Sequence, residues 1–193
     1  MILPSVVRVF FAIDPPDNIK ASMSAYIDSL KDLSKTNKIR WTRTENLHIT
    51  LQFLAEVQGE HVDLIISKVQ AELAAAVSHL TINLRSLYLF PDPHRPRVLV
   101  VDVAPQAALA QLSAMIGRGI EAAGYKIEAR AFRGHMTIGR FKTSQKTVLN
   151  FLSDAKAPDV GEIEIHEVVL FQSESHPEGS RYIPLKRIPL QVA

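Results

Sequence analysis

The chain has 193 residues, 47% of them apolar and 22% charged, with a formal net charge of +2. That length holds one domain or two small lobes around a real apolar core, and the balance is that of a soluble folded protein, not a disordered one. A charge this small demands no nucleic-acid or membrane partner, and the lack of cysteine excludes disulfides, thiolate catalysis and cysteine-bound zinc.

In chain order, Val6 to Asp14 reads as a buried strand, rich in β-branched and aromatic residues and ended by Pro15-Pro16. A helix follows over about Asn18 to Ser34, with Ile19, Met23, Tyr26, Ile27 and Leu30 at helical spacing. Trp41 begins the approach to a strand from Leu47 to Leu54, and Gly59 to Val77 reads as a second amphipathic helix. Leu80 to Phe90 alternates as a sheet strand does. A proline-rich connection over Pro91 to Pro96 leads to a strand from Arg97 to Val103, broken by Pro105. Ala107 to Ala123 is an alanine-rich helix, with Gly124 suited to its C-terminal cap. A strand is predicted over Phe132 to Phe141, a short helix over Lys146 to Leu152, and late strands over Glu162 to Gln172 and Tyr182 to Ile188. Ser173 to Ser180 reads as a polar loop between them.

The order strand, proline, helix, strand thus occurs twice. Short connections between many strands favour an α+β fold with mostly antiparallel sheets, here duplicated into two lobes. Nothing separates independent domains, so residues 1–193 read as one bilobal domain with a central cleft. The apolar start lacks the flank of a signal peptide and no run reaches membrane-spanning length, so no membrane partner is expected and a cytoplasmic location is compatible.

Each half ends on one pattern, histidine–apolar–threonine–apolar: His48-Ile49-Thr50-Leu51 and His135-Met136-Thr137-Ile138. Residues two apart on a strand share a face. Alternation therefore predicts His48, Thr50 and Gln52 on one side, with Ile49, Leu51 and Phe53 toward a core. It likewise predicts His135, Thr137 and Gly139 on one side, with Met136 and Ile138 inward. A lone His-x-Thr is an ordinary strand fragment. Two copies at matching places point to two imidazoles bordering one cleft. Histidine titrates near neutrality, so a neutral ring can take a proton from water and a charged one can give a proton to a departing oxygen. Threonine hydroxyls and an arginine can hold phosphoryl oxygens where charge builds. Arg40, Arg43, Arg130, Arg133, Arg140 and Lys142 cluster around the two motifs, which favours an anionic ligand. No other histidine stands at metal-ligand spacing, so neither metal nor cofactor is expected.

Several runs resemble the two-histidine (2H) phosphoesterase superfamily and, within it, the LigT/ThpR-type RNA 2′,3′-cyclic phosphodiesterases. They are Arg8 to Ile13, Trp41 followed by Glu45 to Leu54, Phe132 with Gly134 to Arg140, Leu170 to Ser173, and Gly179 to Leu185. The resemblance implies a two-lobed fold and metal-independent opening of a 2′,3′-cyclic phosphate at an RNA end, leaving a 2′-phosphate; a monomer is expected. It implies His48 as proton donor to the leaving 3′ oxygen and His135 as the acceptor that activates water. Thr50 and Thr137 would hold phosphate oxygens. Arg140 would bind phosphate, although strict alternation sets it opposite His135 unless a bulge intervenes. Phe11 and Tyr182 are candidate base or wall contacts. Two departures stand out. Arg133-Gly134 replaces the proline common before the second histidine, and Ala55 replaces a glycine after Phe53-Leu54. The same motifs admit action on 2′,5′ linkages, by hydrolysis or ligation. A non-catalytic RNA-end binder is the contrasting class; it needs no pair of titrating groups.

Overall fold

The computed structural model describes residues 3–74, 80–92, 94–129, 131–142, 151–177 and 179–190. The apolar run that opens the chain becomes strand β1 (Val6–Ile13), and Pro16 precedes helix α1 (Asp17–Ser34), whose Ile19, Met23, Ile27 and Leu30 are buried. Three residues, Ile39–Trp41, form β2, which the sequence reading took only as an approach to the motif. The remaining elements are β3 (Ile49–Gln58), α2 (Val62–Ala74), β4 (Leu80–Phe90), β5 (Val98–Ala104), α3 (Gln106–Ala122) and β6 (His135–Phe141). They are followed by α4 (Phe151–Asp154), β7 (Glu162–Ile165), β8 (Glu167–His176) and β9 (Gly179–Pro189).

The strands join into one nine-stranded sheet, ordered β7-β4-β5-β6-β3-β1-β8-β9, with β2 also on β6. All the pairings are antiparallel. Outward from the β6–β3 seam the order is β3, β1, β8, β9 on one side and β6, β5, β4, β7 on the other. Within each half, a motif strand lies beside the strand that precedes its helix. This is the duplication expected from the sequence. One helix layer covers the sheet, and α2 and α3 touch so closely that a Cβ on Gly119 would lie 2.6 Å from the Cα of Val69. The main core lies on this side, with Phe11, Ile13, Ile49, Leu51, Leu99, Val101, Met136 and Ile138 in one cluster.

The late elements differ from the sequence reading in two places. Glu162 to Gln172 is two strands, broken at His166, which lets β7 pair with β4 while β8 pairs with β1. Ser173 to Ser180 is not a loop: its described residues continue β8 and β9 into a hairpin paired out to His176 and Gly179. Both faces of that tip meet water, so polar composition concealed the ladder. Of the helix expected over 146–152, residues 151 and 152 are helical, and the rest lies outside the described residues. Among the described residues no helix is long and apolar enough to cross a membrane.

Candidate active site

The motif strands β3 and β6 are joined by a single register pair, Ile49 with Met136. These are the residues between each histidine and its threonine. Extending that antiparallel register one residue each way sets His48 opposite Thr137 and Thr50 opposite His135. The four polar groups therefore share one face of the sheet, while Ile49 and Met136 are fully buried on the other.

Each motif is followed by a β-bulge. Ala12 pairs with Thr50 but Phe11 pairs with Gln52, so Leu51 is the extra residue in β3. Val100 pairs with Thr137 but Leu99 pairs with Gly139, so Ile138 is the extra residue in β6. A bulge breaks the alternation of faces. Two sequence expectations are thereby corrected. Gln52 does not share the face of His48 and Thr50; it turns to α3, donates to Ser113 Oγ at 3.0 Å and to Ser113 O at 3.1 Å, and borders the larger cavity from that side. Phe53 is not core but 37% exposed. The second bulge has the opposite value for function. Arg140 pairs with Val98 and Thr137 with Val100, residues two apart on β5, so Arg140 shares the face of Thr137. The bulge that its phosphate role required is present. Both bulge carbonyls are satisfied: Ser113 Oγ donates to Leu51 O at 2.7 Å, and Thr42 N–H donates to Ile138 O at 2.9 Å. Sequence periodicity gave no sign of Ser113, whose hydroxyl sits at a helix position otherwise filled by core residues.

His48 Nδ1 lies 2.7 Å from Asn46 O, and His135 Nδ1 lies 2.8 Å from Arg133 O. A carbonyl only accepts, so both Nδ1 atoms carry hydrogen and Nε2 is the titrating nitrogen of each ring. His48 Nε2 is 3.1 Å from Thr50 Oγ1. Asn46 is itself held, its Nδ2 donating to Ser180 O at 2.9 Å.

Aromatic walls distinguish the two rings. His48 is tilted against Phe10 at 4.9 Å and meets Tyr182 edge-on at 5.1 Å. Phe10, not Phe11, is thus the β1 residue at the site; Phe11 is 0% exposed and lies wholly in the core beneath the helices. The two are neighbours on a strand and point to opposite faces, a choice composition could not make. Burial among these rings pushes the pKa of His48 down from 6.5 to about 4, and the nearby charge of Arg140 acts in the same sense. The hydrogen bond to Asn46 and the charge of Asp14 oppose that shift without cancelling it. Free His48 is therefore neutral at pH 7. His135 instead stacks on Phe90, with ring centroids 5.2 Å apart. Its register partner is Asp102, which Arg133 approaches at 3.8 Å while lying over Tyr88.

The residue before the second histidine is a clamped glycine. Gly134 N–H donates to Gln106 Oε1 at 2.9 Å, and Gln106 Nε2 donates to Gly134 O at 2.8 Å. A Cβ at Gly134 would meet Leu109 Cδ1 at 2.7 Å. Gln106, the first residue of α3, thus fixes the chain entering the motif. Nothing in the sequence pattern singled it out.

The cleft divides at the seam. One side is a cavity of about 570 Å³, bordered by Thr50 and His135 with Phe53, Phe90, Phe132 and Gln106. The other is small, about 100 Å³, and basic, bordered by His48 and Thr137 with Arg40, Arg43, Arg140 and Tyr182. Of the residues expected at the site, His48, Thr50, His135, Thr137, Arg140 and Tyr182 are brought together and Phe11 is not. Among the described residues, no cluster of three histidine or carboxylate side chains is arranged to hold a metal ion.

Paired hydroxyls and imidazoles beside an arginine suit acid–base work at a phosphoryl centre. The chain is 28% identical to the RNA 2′,3′-cyclic phosphodiesterase of Archaeoglobus fulgidus, over 93% of its length and 98% of that protein. It is 30% identical to the protein of the same name from Methanocaldococcus jannaschii, again over 93% of this chain and 98% of the relative. Among solved structures, TT0787 of Thermus thermophilus superposes with a TM-score of 0.77 at 22% identity, covering 96% of this chain and 98% of that one. The E. coli LigT protein complexed with 3′-AMP gives 0.76 at 25% identity, with 96% and 98% covered. The LigT-like phosphoesterase family profile matches twice, over residues 13–100 and 101–182, once for each half of the fold, and the chain belongs to that family.

Proposed function

We propose that this protein hydrolyses 2′,3′-cyclic phosphodiester ends of RNA to 2′-phosphomonoesters, using its two histidines as acid and base. The observation behind this reading is the register of the motif strands, which sets each histidine across from the other motif's threonine on one polar face. The relatives' names supply the substrate class.

In this reading the cyclic phosphate lies over the Ile49–Met136 seam. His135 Nε2 takes a proton from water as the water oxygen bonds to phosphorus. The P–O3′ bond breaks, and His48 Nε2–H gives its proton to O3′. Thr50, Thr137 and Arg140 donate to the non-bridging oxygens, where charge accumulates. Neither proton transfer calls for a metal ion. His48 is neutral in the free protein, so the donor must first be loaded. The bound phosphate anion supplies an opposite charge beside the ring and raises its pKa. Each positioned acid or base contributes roughly 10²–10⁴-fold. One chain provides both histidines, so we read residues 1–193 as one bilobal domain acting as a monomer, and place it in the cytoplasm.

The test is hydrolysis of a short RNA ending in a 2′,3′-cyclic phosphate after EDTA treatment, with the product phosphate located. A 2′-phosphate is expected. A 3′-phosphate would reverse the leaving group, and no product in either position would remove the reading.

A further inference from the structure

The basic side of the cleft holds more positive charge than one phosphate needs. Arg40 and Arg140 both border the same small cavity. Arg40 on β2 pairs directly with Arg140 on β6, so the two side chains leave the sheet on one face. Like charges directly opposite in an antiparallel pair destabilise it. Among the described residues no ion pair offsets either of them. Neither arginine is required to fill the core: both are exposed, while the adjacent Trp41 and Gly139 pack inward, with a Gly139 Cβ 2.7 Å from Ile39 Cγ2. A repelling pair kept at the mouth of a cleft is explained if anions sit between and beside the guanidinium groups. Arg140, beside Thr137 and close enough to His48 to depress its charge, already accounts for the reacting phosphate.

We propose that Arg40 forms a second phosphate subsite for the phosphodiester 5′ of the terminal nucleotide, making an RNA strand end, rather than a free cyclic mononucleotide, the preferred ligand. The inference rests on the reading of the reaction given above. There, O3′ departs toward His48, which borders the same small cavity as Arg40, and the proposed pose sets the 5′ oxygen toward β2. Arg40 then meets the next phosphate along the strand, and the Arg40–Arg140 repulsion is relieved by two anions in succession. Trp41 and Thr42 continue this wall beyond Arg40.

The test needs no turnover. Calorimetry compares an unmodified adenosine 2′-phosphate with adenosine 2′,5′-bisphosphate, which differs by one phosphate at the 5′ position. The bisphosphate is expected to bind at least tenfold more tightly to the wild type, and Arg40→Ala should lose most of that preference. The dependence of log affinity on log salt should become shallower by about 0.7 in the variant, the loss of one phosphate contact on a single strand. Arg40→Lys, which keeps the charge, should retain most of the preference. Arg40→Ala should also melt higher than wild type at low salt without ligand, since it removes a repulsion. Equal affinities for the two ligands in the wild type would overturn the subsite, as would an undiminished preference in Arg40→Ala. If cyclic-phosphate hydrolysis fails while the bisphosphate preference follows Arg40, the reaction assigned above is wrong and the subsite stands.

Discussion

Mild acid should reveal His48 as a cost to the fold. Its pKa is pushed down from 6.5 to about 4 by burial against Phe10 and Tyr182. A depressed histidine pKa means that between those values the unfolded chain binds a proton that the folded chain refuses. Stability is thus unaffected at neutral and higher pH and falls as pH drops below about 6.5. Linkage over this shift gives a loss of about 2 kcal/mol between pH 7 and about pH 5, a range above most carboxylate titrations. Urea unfolding of wild type and His48→Gln at the two pH values isolates the effect, because other groups titrate alike in both. The variant should be less pH-sensitive by about that amount. Proton NMR of the His48 ring should place its midpoint near 4 in the free protein, and added phosphate should raise it. Identical pH dependence in the two proteins, with a His48 midpoint near 6.5, would falsify the claim that the aromatic walls hold this ring neutral.

Adjacent phenylalanines on β1 should behave differently. Phe10→Ala opens the wall of His48 and should move its midpoint back toward 6.5, whereas Phe11→Ala leaves a cavity in the main core and should cost about 3–5 kcal/mol in urea unfolding, with the midpoint unchanged. Gln106→Ala removes the clamp on Gly134; kcat should fall by tenfold or more with KM little altered, and a proportional rise in KM alone would contradict a positioning role. Arg140→Ala should reduce kcat/KM about 10²-fold, as expected for loss of a charge-assisted contact to the reacting phosphate, and a loss under threefold would mean that the bulge at Ile138 does not deliver it. Gly119→Ala should destabilise the α2–α3 contact by about 1–3 kcal/mol in thermal melting, through the backbone of Val69, while leaving turnover at low temperature intact.

Much of this architecture is legible in the residues because it follows from periodicity. The apolar run at Val6–Ile13, the helical stripe of Ile19, Met23, Ile27 and Leu30, and the repeated order of elements appear where the pattern sets them. The motif histidines and threonines share a face for the same reason. What was not legible depends on pairing between distant strands. The extra residues Leu51 and Ile138 are bulges only with respect to Phe11, Ala12, Leu99 and Val100, which lie far away in sequence. Strict alternation therefore places Gln52 and Phe53 on the wrong faces and turns Arg140 away from the cleft. Phe10 and Phe11 are chemically the same, so only the neighbour across the strand decides which one walls His48. Gln106 and Ser113 act through hydrogen bonds to backbone groups, and no residue pattern announces those.

The matched bulges also settle a problem inherent in a doubled scaffold. A frame with a two-fold through the Ile49–Met136 pair would accept a ligand in either direction, and its histidines would exchange duties. Each bulge brings a further residue, three after the threonine, onto the working face: Phe53 from one strand and Arg140 from the other. An aromatic edge in one lobe and a cation in the other give the cleft a head and a tail. On the proposed function, a strand of RNA would then be read in one polarity only, although the framework beneath it is nearly the same from both ends.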